Sequence, residues 1–242
     1  MKPVEIVLVY QSLLGIYGDR GNAMVLRQRL AWRGIEATLT EVDPGEAVPS
    51  TGAVYLLGGG EDAAQISAVR ALRADGHLFE AIEAGAVLFA VCAGYQIVGK
   101  TFTVGDHDEV IEGLGLLDVT TRRGPERAVG EVLSTWTRPD GTEGLITGFE
   151  NHGGFTSLGS DAEPLARVEI GVGNCGDGTD GAVQGNVLGI YPHGPILARN
   201  PELADHLLER ALGHELDPLP NPELDELRRQ RIAAVRKAGL RR

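Results

Sequence analysis

The chain has 242 residues, 43% of them hydrophobic and 23% charged, with a formal net charge of −12. That length fits one generous domain or two very small ones, and the composition is that of a globular protein, which excludes disordered, collagen-like and low-complexity classes. The acidic balance argues against nucleic-acid binding, where affinity comes mainly from Lys and Arg on phosphates.

The longest strongly apolar stretch, AVLFAVCAGY at 86–95, is about half of what a membrane span needs, so the chain is expected not to span a membrane. The N-terminal run MKPVEIVLVYQ contains Glu5 and no small-residue cleavage site, and reads as a first strand rather than a signal peptide. Two cysteines cannot build a disulfide framework, and a cytoplasmic location is expected. No C-x-x-C or H-E-x-x-H occurs, so no metal site is expected. The charge is uneven: residues 221–242 hold seven basic and three acidic residues, net +4, which leaves −16 on residues 1–220. The basic tail is either a solvated terminal helix or a contact for an acidic partner or membrane surface.

In chain order, VEIVLVY (4–10) reads as a buried strand. Residues 21–34 read as a helix with Met24, Leu26, Leu30 and Trp32 at roughly helical spacing, closed by Gly34. EATLTEV (36–42) and AVYLLGGG (53–60) are strands, the latter ending in Gly58, Gly59 and Gly60. Residues 61–85 are helical with a break near Asp75-Gly76, and AVLFAVC (86–92), the most apolar strand, is central. Strand, helix and strand in this order imply parallel crossovers and an open, mostly parallel α/β sheet flanked by helices. The second half supplies further strand-like segments between Gly, Asp and Pro turns, which either extend the sheet or form an antiparallel layer beside it. Residues 201–212 form a helix with Asn200 as N-cap and Pro201 at its first position, and Asn221-Pro222 starts a final helix over 222–239. The apolar residues of that helix, Leu224, Leu227, Ile232 and Val235, are sparse for a core element.

Cys92 ends the most apolar strand and is followed by Ala93-Gly94-Tyr95-Gln96. Ligands bind open α/β sheets beyond the carboxyl ends of the strands, and a helix N-terminus favours a thiolate. The small residues after Cys92 permit a sharp turn, the Ala93 amide would face a developing oxyanion, and the Gly58–Gly60 turn on a neighbouring strand could supply a second donor. The alternative is a buried, inert thiol. No Gly-Lys-Ser/Thr follows the glycines, so ATP use has no visible support in this chain.

A cysteine nucleophile needs a base. His193, in YPHG after an apolar strand, mirrors Cys92 in position; His152, in GFENHGG, is its rival. His77, His206 and His214 lie in or beside charged helical stretches and read as surface residues, and His107 sits in a turn. Cys175, in a Gly-Asp loop, reads as incidental.

VCAGYQIVG around Cys92, the upstream LLGGGED, GFENHGG and YPHG together resemble the class I glutamine amidotransferases, in their cobyric-acid-synthase-like branch. Within it, YGDRGNAMVLRQRLAWRG, GFENHGGFT and YPHGPILARNPELADHLL look like the glutaminase subunits of lipid II isoglutaminyl synthases. The resemblance runs from about residue 5 to 212. It implies a class I glutaminase-like α/β domain over 1–212, followed by a basic helical extension over 213–242. It further implies that Cys92 attacks the side-chain amide of L-glutamine, that the oxyanion sits between Ala93 and Gly58–Gly60, and that His193 moves the protons. A Mur-ligase-like partner, in a heterodimer, would use ATP and Mg²⁺ to amidate the D-glutamate α-carboxylate of lipid II at the inner face of the membrane.

Arg127, just before the strand AVGEV, is by resemblance the reader of the glutamine carboxylate, with Arg122 and Arg123 facing solvent. The acid usual two residues after the histidine is replaced by Pro195. Asp19 and Glu150 are internal substitutes, and the resemblance favours a carboxylate supplied by the partner. Three other readings stay open: an acceptor such as a corrinoid precursor, a different cysteine hydrolase, and a non-catalytic binding subunit.

Overall fold

A computed structural model describes residues 2–138 and 140–239. Arg241 and Arg242 of the basic tail lie outside the described residues. Six strands form the first sheet: β1 (Val4–Val9), β2 (Ala37–Val42), β3 (Val54–Leu57), β4 (Val87–Val91), β11 (Ala182–Gln184) and β12 (Val187–Ile190). Their order is β11-β12-β4-β3-β1-β2, all parallel except the edge strand β11. Every residue of β3 and β4 is buried, as an apolar run covered on both faces must be, and β4 lies in the middle as expected.

The crossover helices are α1 (Arg20–Trp32), α2 (Asp62–Asp75) and α3 (His77–Glu83). Gly76, left-handed at φ 79°, separates the last two at the expected break. In α1, Leu26 and Leu30 are buried, but Met24 and Trp32 are 36% and 56% exposed. Asn22, Ala23 and Arg29 complete the inner face instead. Arg29 is buried because it forms a bidentate pair with Asp205 at 2.5–2.6 Å, on α6 (Pro201–Leu212).

The second half does both things left open above. Its last strands, β11 and β12, return to the first sheet, while the rest forms a separate layer. That layer contains β5 (Thr101–Val104), β6 (Glu109–Glu112), β7 (Val119–Thr137), β8 (Glu143–Leu158), β9 (Ala166–Ile170) and β10 (Thr179–Asp180). The long antiparallel pair β7–β8 dominates it, with a register irregularity between Arg123 and Ala128. The β5–β6 hairpin has no counterpart in the sequence reading, since its strands are four residues each, with Thr at alternate positions of β5 and Glu at both ends of β6. Two short helices, α4 (Ala93–Val98) and α5 (Ile196–Arg199), follow β4 and β12 on the side facing this layer, where α4 touches β5 and β7 and α5 touches β8.

Pro201 opens α6 as expected, but the Asn200 side chain does not cap it. Its Oδ1 accepts from Thr147 N and its Nδ2 donates to Thr147 O and Ile196 O, which ties the helix start to β8. The final helix, α7 (Pro222–Gly239), does have a capping contact, from Leu224 N to Asn221 Oδ1 at 3.1 Å. It lies across β7 and β9, with Val235 buried and Leu227 65% exposed. Its arginines turn toward acidic residues of the body: Arg228 to Glu202, Arg231 to Glu131 and Arg236 to Glu169. Three of the tail's seven basic residues are thus paired with acidic residues of the body. No described helix is long and apolar enough to cross a membrane.

Candidate active site

Cys92 stands between β4 and α4 with φ 54° and ψ −107°, an uncommon backbone state for a residue with a Cβ. Hydrogen bonds on either side hold it there: its N–H donates to Ile190 O of β12, and Gln96 N–H donates to its carbonyl. Gly94 must be glycine, because a Cβ would lie 2.7 Å from Leu57 O, and its N–H donates to Gly58 O. The result is a sharp elbow that presents the thiol at the start of a helix. Cys92 is 6% exposed.

His193 follows β12, beyond the carboxyl end of the strand next to β4, as its sequence context predicted. Its backbone forms a two-way bridge with Phe149 of β8, so the loop is fixed from the second layer. Its Nδ1 lies 3.2 Å from Oδ1 of Asp19. Nε2 has no hydrogen-bond partner among the described residues, and the Cys92 thiol adjoins the ring. Burial lowers the imidazole pKa, but the Asp19 hydrogen bond and neighbouring Cys92 outweigh it and push the value up to about 9. Tyr17 packs on the ring at 4.4 Å between centroids.

Asp19 is 2% exposed and does two things: Oδ1 faces His193 and Oδ2 accepts from Gly59 N at 2.8 Å. Of the two internal substitutes for the acid that Pro195 replaces, Asp19 is the one that meets the imidazole. Glu150, the other, is elsewhere. It is buried, accepts from Val172 N and Gly173 N, and lies 3.6 Å from Nε2 of His152.

A cleft of about 450 Å³ opens beside the thiol. Of the three glycines expected to face it, only Gly60 does. Gly59 has given its N–H to Asp19, and a Cβ there would meet His193 Cε1 at 2.7 Å; a Cβ on Gly58 would meet Leu14 O at 2.1 Å. The oxyanion donors available are thus the Ala93 amide, outside the ladder of α4 as its first residue, and Gly60.

Arg127 lines the cleft from the β7 irregularity, its Nε donating to Asn151 Oδ1 at 2.7 Å and its terminal nitrogen to Asn151 O at 3.2 Å. Arg123 is exposed as expected and also lines the cleft, where it fastens the β5–β6 turn through Asp108 and Gly105 O. Arg122 is exposed and does not line the cleft. Gln96, one turn after Cys92, lines it as well, as do Gln65, Asn151 and Tyr17, which sequence reasoning missed. Only the Gln in CAGYQ carried a signal, since i and i+4 share a helix face.

His152 borders the cleft but cannot serve Cys92, because its Nδ1 meets Gly154 O at 2.8 Å and its Nε2 faces Glu150. His206 is not a surface residue as read above: it packs on Trp136 at 5.4 Å, and burial holds its pKa down at about 4. Cys175 lies in a loop, its thiol pKa raised by burial and by Asp177. Among the described residues no three His, Cys, Asp or Glu side chains gather as a metal would require.

An open α/β sheet with a strained cysteine elbow, a histidine on the adjacent strand end and a carboxylate behind it defines a cysteine acyl-transfer type of site. The comparisons narrow the class. The CobB/CobQ-like glutamine amidotransferase domain model matches residues 5–201, and the chain belongs to that family. It is 38% identical to the GatD subunit of the glutamine-hydrolysing lipid II isoglutaminyl synthase of Staphylococcus aureus (strain N315), over 88% of this chain and 86% of that protein. The corresponding Streptococcus pneumoniae (strain R6) subunit is 30% identical over 95% and 89%. A cobyric acid synthase of Sphingopyxis alaskensis is 35% identical over 73% of this chain but only 35% of its own length. Among solved structures, a glutamine amidotransferase superposes with a TM-score of 0.55 at 25% identity, over 86% of this chain and 98% of that one. The PurLQS structure from Thermotoga maritima reaches 0.58 at 18% identity, over 88% and 99%, and so shares the fold.

Proposed function

We propose that this chain is the glutaminase subunit of a lipid II isoglutaminyl synthase. The observation that carries the chemistry is the placement of Cys92 at a positive-φ elbow beside an imidazole whose far nitrogen is held by Asp19. An imidazole with a pKa raised to about 9 is protonated at neutral pH, and it stabilises the Cys92 thiolate. The thiolate attacks the δ-carbonyl carbon of L-glutamine, and the oxyanion is held by the Ala93 and Gly60 amides. As the C–N bond breaks, His193 gives its Nε2 proton to the departing ammonia. The neutral imidazole then takes a proton from water, which attacks the glutamyl thioester, and glutamate leaves with the thiolate restored. Arg127 binds the α-carboxylate, and Gln96 offers its amide to the substrate.

The acceptor rests on the two relatives matched along most of their length, both named subunits of lipid II isoglutaminyl synthases. The ammonia passes to a Mur-ligase-like partner in a heterodimer, which holds ATP and Mg²⁺ and activates the D-glutamate α-carboxylate of the lipid-linked precursor. The work takes place at the cytoplasmic face of the membrane. Purified protein, alone and with its co-purifying partner, is assayed for ammonia release from L-glutamine beside Cys92→Ser. Release that depends on Cys92, with amidated lipid II formed by the complex, is the expected result. Glutamine turnover with a corrinoid precursor amidated instead would replace the acceptor, and no turnover by folded complex would remove the glutaminase reading.

A further inference from the structure

Two buried groups near the cleft have no part in the cysteine chemistry. Glu150 and His152 lie on the face of β8 opposite to Phe149 and Asn151. Their side chains are 4% and 1% exposed, with His152 Nε2 3.6 Å from Glu150 Oε2 and without a hydrogen bond among the described residues. Glu150 is fixed by the amides of Val172 and Gly173. His152 is fixed through Nδ1 by Gly154 O. What the imidazole touches is the ring of Tyr191, stacked at 3.7 Å and 13°.

Tyr191 connects this buried pair to the cleft. Its hydroxyl is 2.7 Å from Thr156 Oγ1, which is 2.7 Å from Thr121 Oγ1, and it accepts from Gln96 Nε2 at 3.3 Å. Gln96 Oε1 in turn accepts from Gln65 Nε2 at 2.6 Å. The Gln96 amide is therefore gripped at both ends. Because the Tyr191 hydroxyl and the Gln65 amide can each donate or accept, these contacts fix the place of the Gln96 amide rather than which of its ends is the oxygen, and each end keeps capacity for one more hydrogen bond toward the cleft. A ring that cannot tilt is needed to keep the hydroxyl on Gln96, and His152 supplies the flat support.

We propose that His152 and Tyr191 are positioning residues that hold the Gln96 amide in place for reading the substrate. This rests on the glutaminase reading above. It also explains a second buried histidine beside the cleft that has no route to Cys92.

The test measures kcat and KM for L-glutamine in the complex for wild type, Tyr191→Phe, Gln96→Ala, the double variant, His152→Phe and His152→Ala. The rate of Cys92 alkylation by iodoacetamide, which needs no glutamine reader, is followed in each. Tyr191→Phe should raise KM by about 3- to 10-fold with kcat and alkylation within about twofold of wild type. The double variant should match Gln96→Ala alone, because Tyr191 acts only through that amide. His152→Phe, which keeps a flat ring, should lie closer to wild type in KM than His152→Ala. If His152→Ala does not fold, the Tyr191–Gln96 cycle decides by itself. Additive effects in the double variant, an unchanged KM in Tyr191→Phe, or slowed alkylation there would overturn the proposal. Alkylation of wild-type Cys92 without glutamine turnover would remove the glutaminase reading and this inference with it.

Discussion

Asp19 and His193 are 174 residues apart in sequence and 3.2 Å apart in space. Asp19 immediately precedes α1, at the first crossover of the sheet, whereas His193 follows the last strand to join it. The same carboxylate holds the Gly59 amide at 2.8 Å, so one buried group fixes both the base and the glycine turn beside it. The contact places a carboxylate of this chain behind the imidazole.

Replacing Asp19 by Asn keeps an acceptor for Gly59 but removes the charge that favours the imidazolium. Glutaminase kcat in the complex should fall about 100- to 10,000-fold, with KM changed little. Cys92 alkylation at neutral pH should slow in parallel, because the imidazolium beside the thiol is lost. Wild-type turnover in Asp19→Asn would mean that the partner, not Asp19, orients His193.

The raised His193 pKa also sets a pH dependence of stability. The folded value of about 9 lies above the ordinary 6.5, so the stabilisation is fully present below about pH 6.5. It is lost as pH rises from there through about 9. Urea midpoints of the full chain should therefore fall over this window, by the equivalent of about 1–3 kcal/mol, and by distinctly less in Asp19→Asn. Identical pH profiles for the two proteins would refute the link.

Arg127 reaches the cleft from a bulged strand and is braced by Asn151. If it reads the carboxylate, Arg127→Ala should raise KM for L-glutamine about 10- to 100-fold and leave Cys92 alkylation unchanged. Discrimination between glutamine and 4-aminobutanamide, which lacks the α-carboxylate, should collapse in the variant. Discrimination that survives would move the role to Arg123, the second arginine on the same wall.

The final helix is held by Val235 and by arginine pairs to Glu202, Glu131 and Glu169. The more exposed pairs of Arg231 and Arg236 contribute little each, so the buried valine, the partly covered Leu224 and Ile232, and the mostly covered Arg228 should dominate. Ending the chain at Pro220 should lower stability by about 1–3 kcal/mol in denaturant titrations while the cleft retains its alkylation rate. An unchanged midpoint would show that α7 adds nothing to the fold.

Features that depend on neighbours along the chain were legible in the residues alone. The apolar runs at 4–10, 53–57 and 86–92 read as strands, the Gly76 break was visible, and Cys92 in VCAGYQ pointed to a strand-to-helix turn. Positions set by distant contacts emerged only in the folded molecule. Met24 and Trp32 fit a helical stripe yet are exposed, because the buried face of α1 is defined by what packs on it, including Asp205. The hairpin of β5 and β6 joins the second layer where Thr101 pairs with Thr120 of β7, and it buries Phe102 and Val104. The choice between Asp19 and Glu150, between His193 and His152, and between Gly60 and its two neighbours turned on hydrogen bonds across 40 to 174 residues. Local periodicity carries no information about such pairings, since they arise only when the parallel crossovers bring the carboxyl ends of β3, β4 and β12 to one edge.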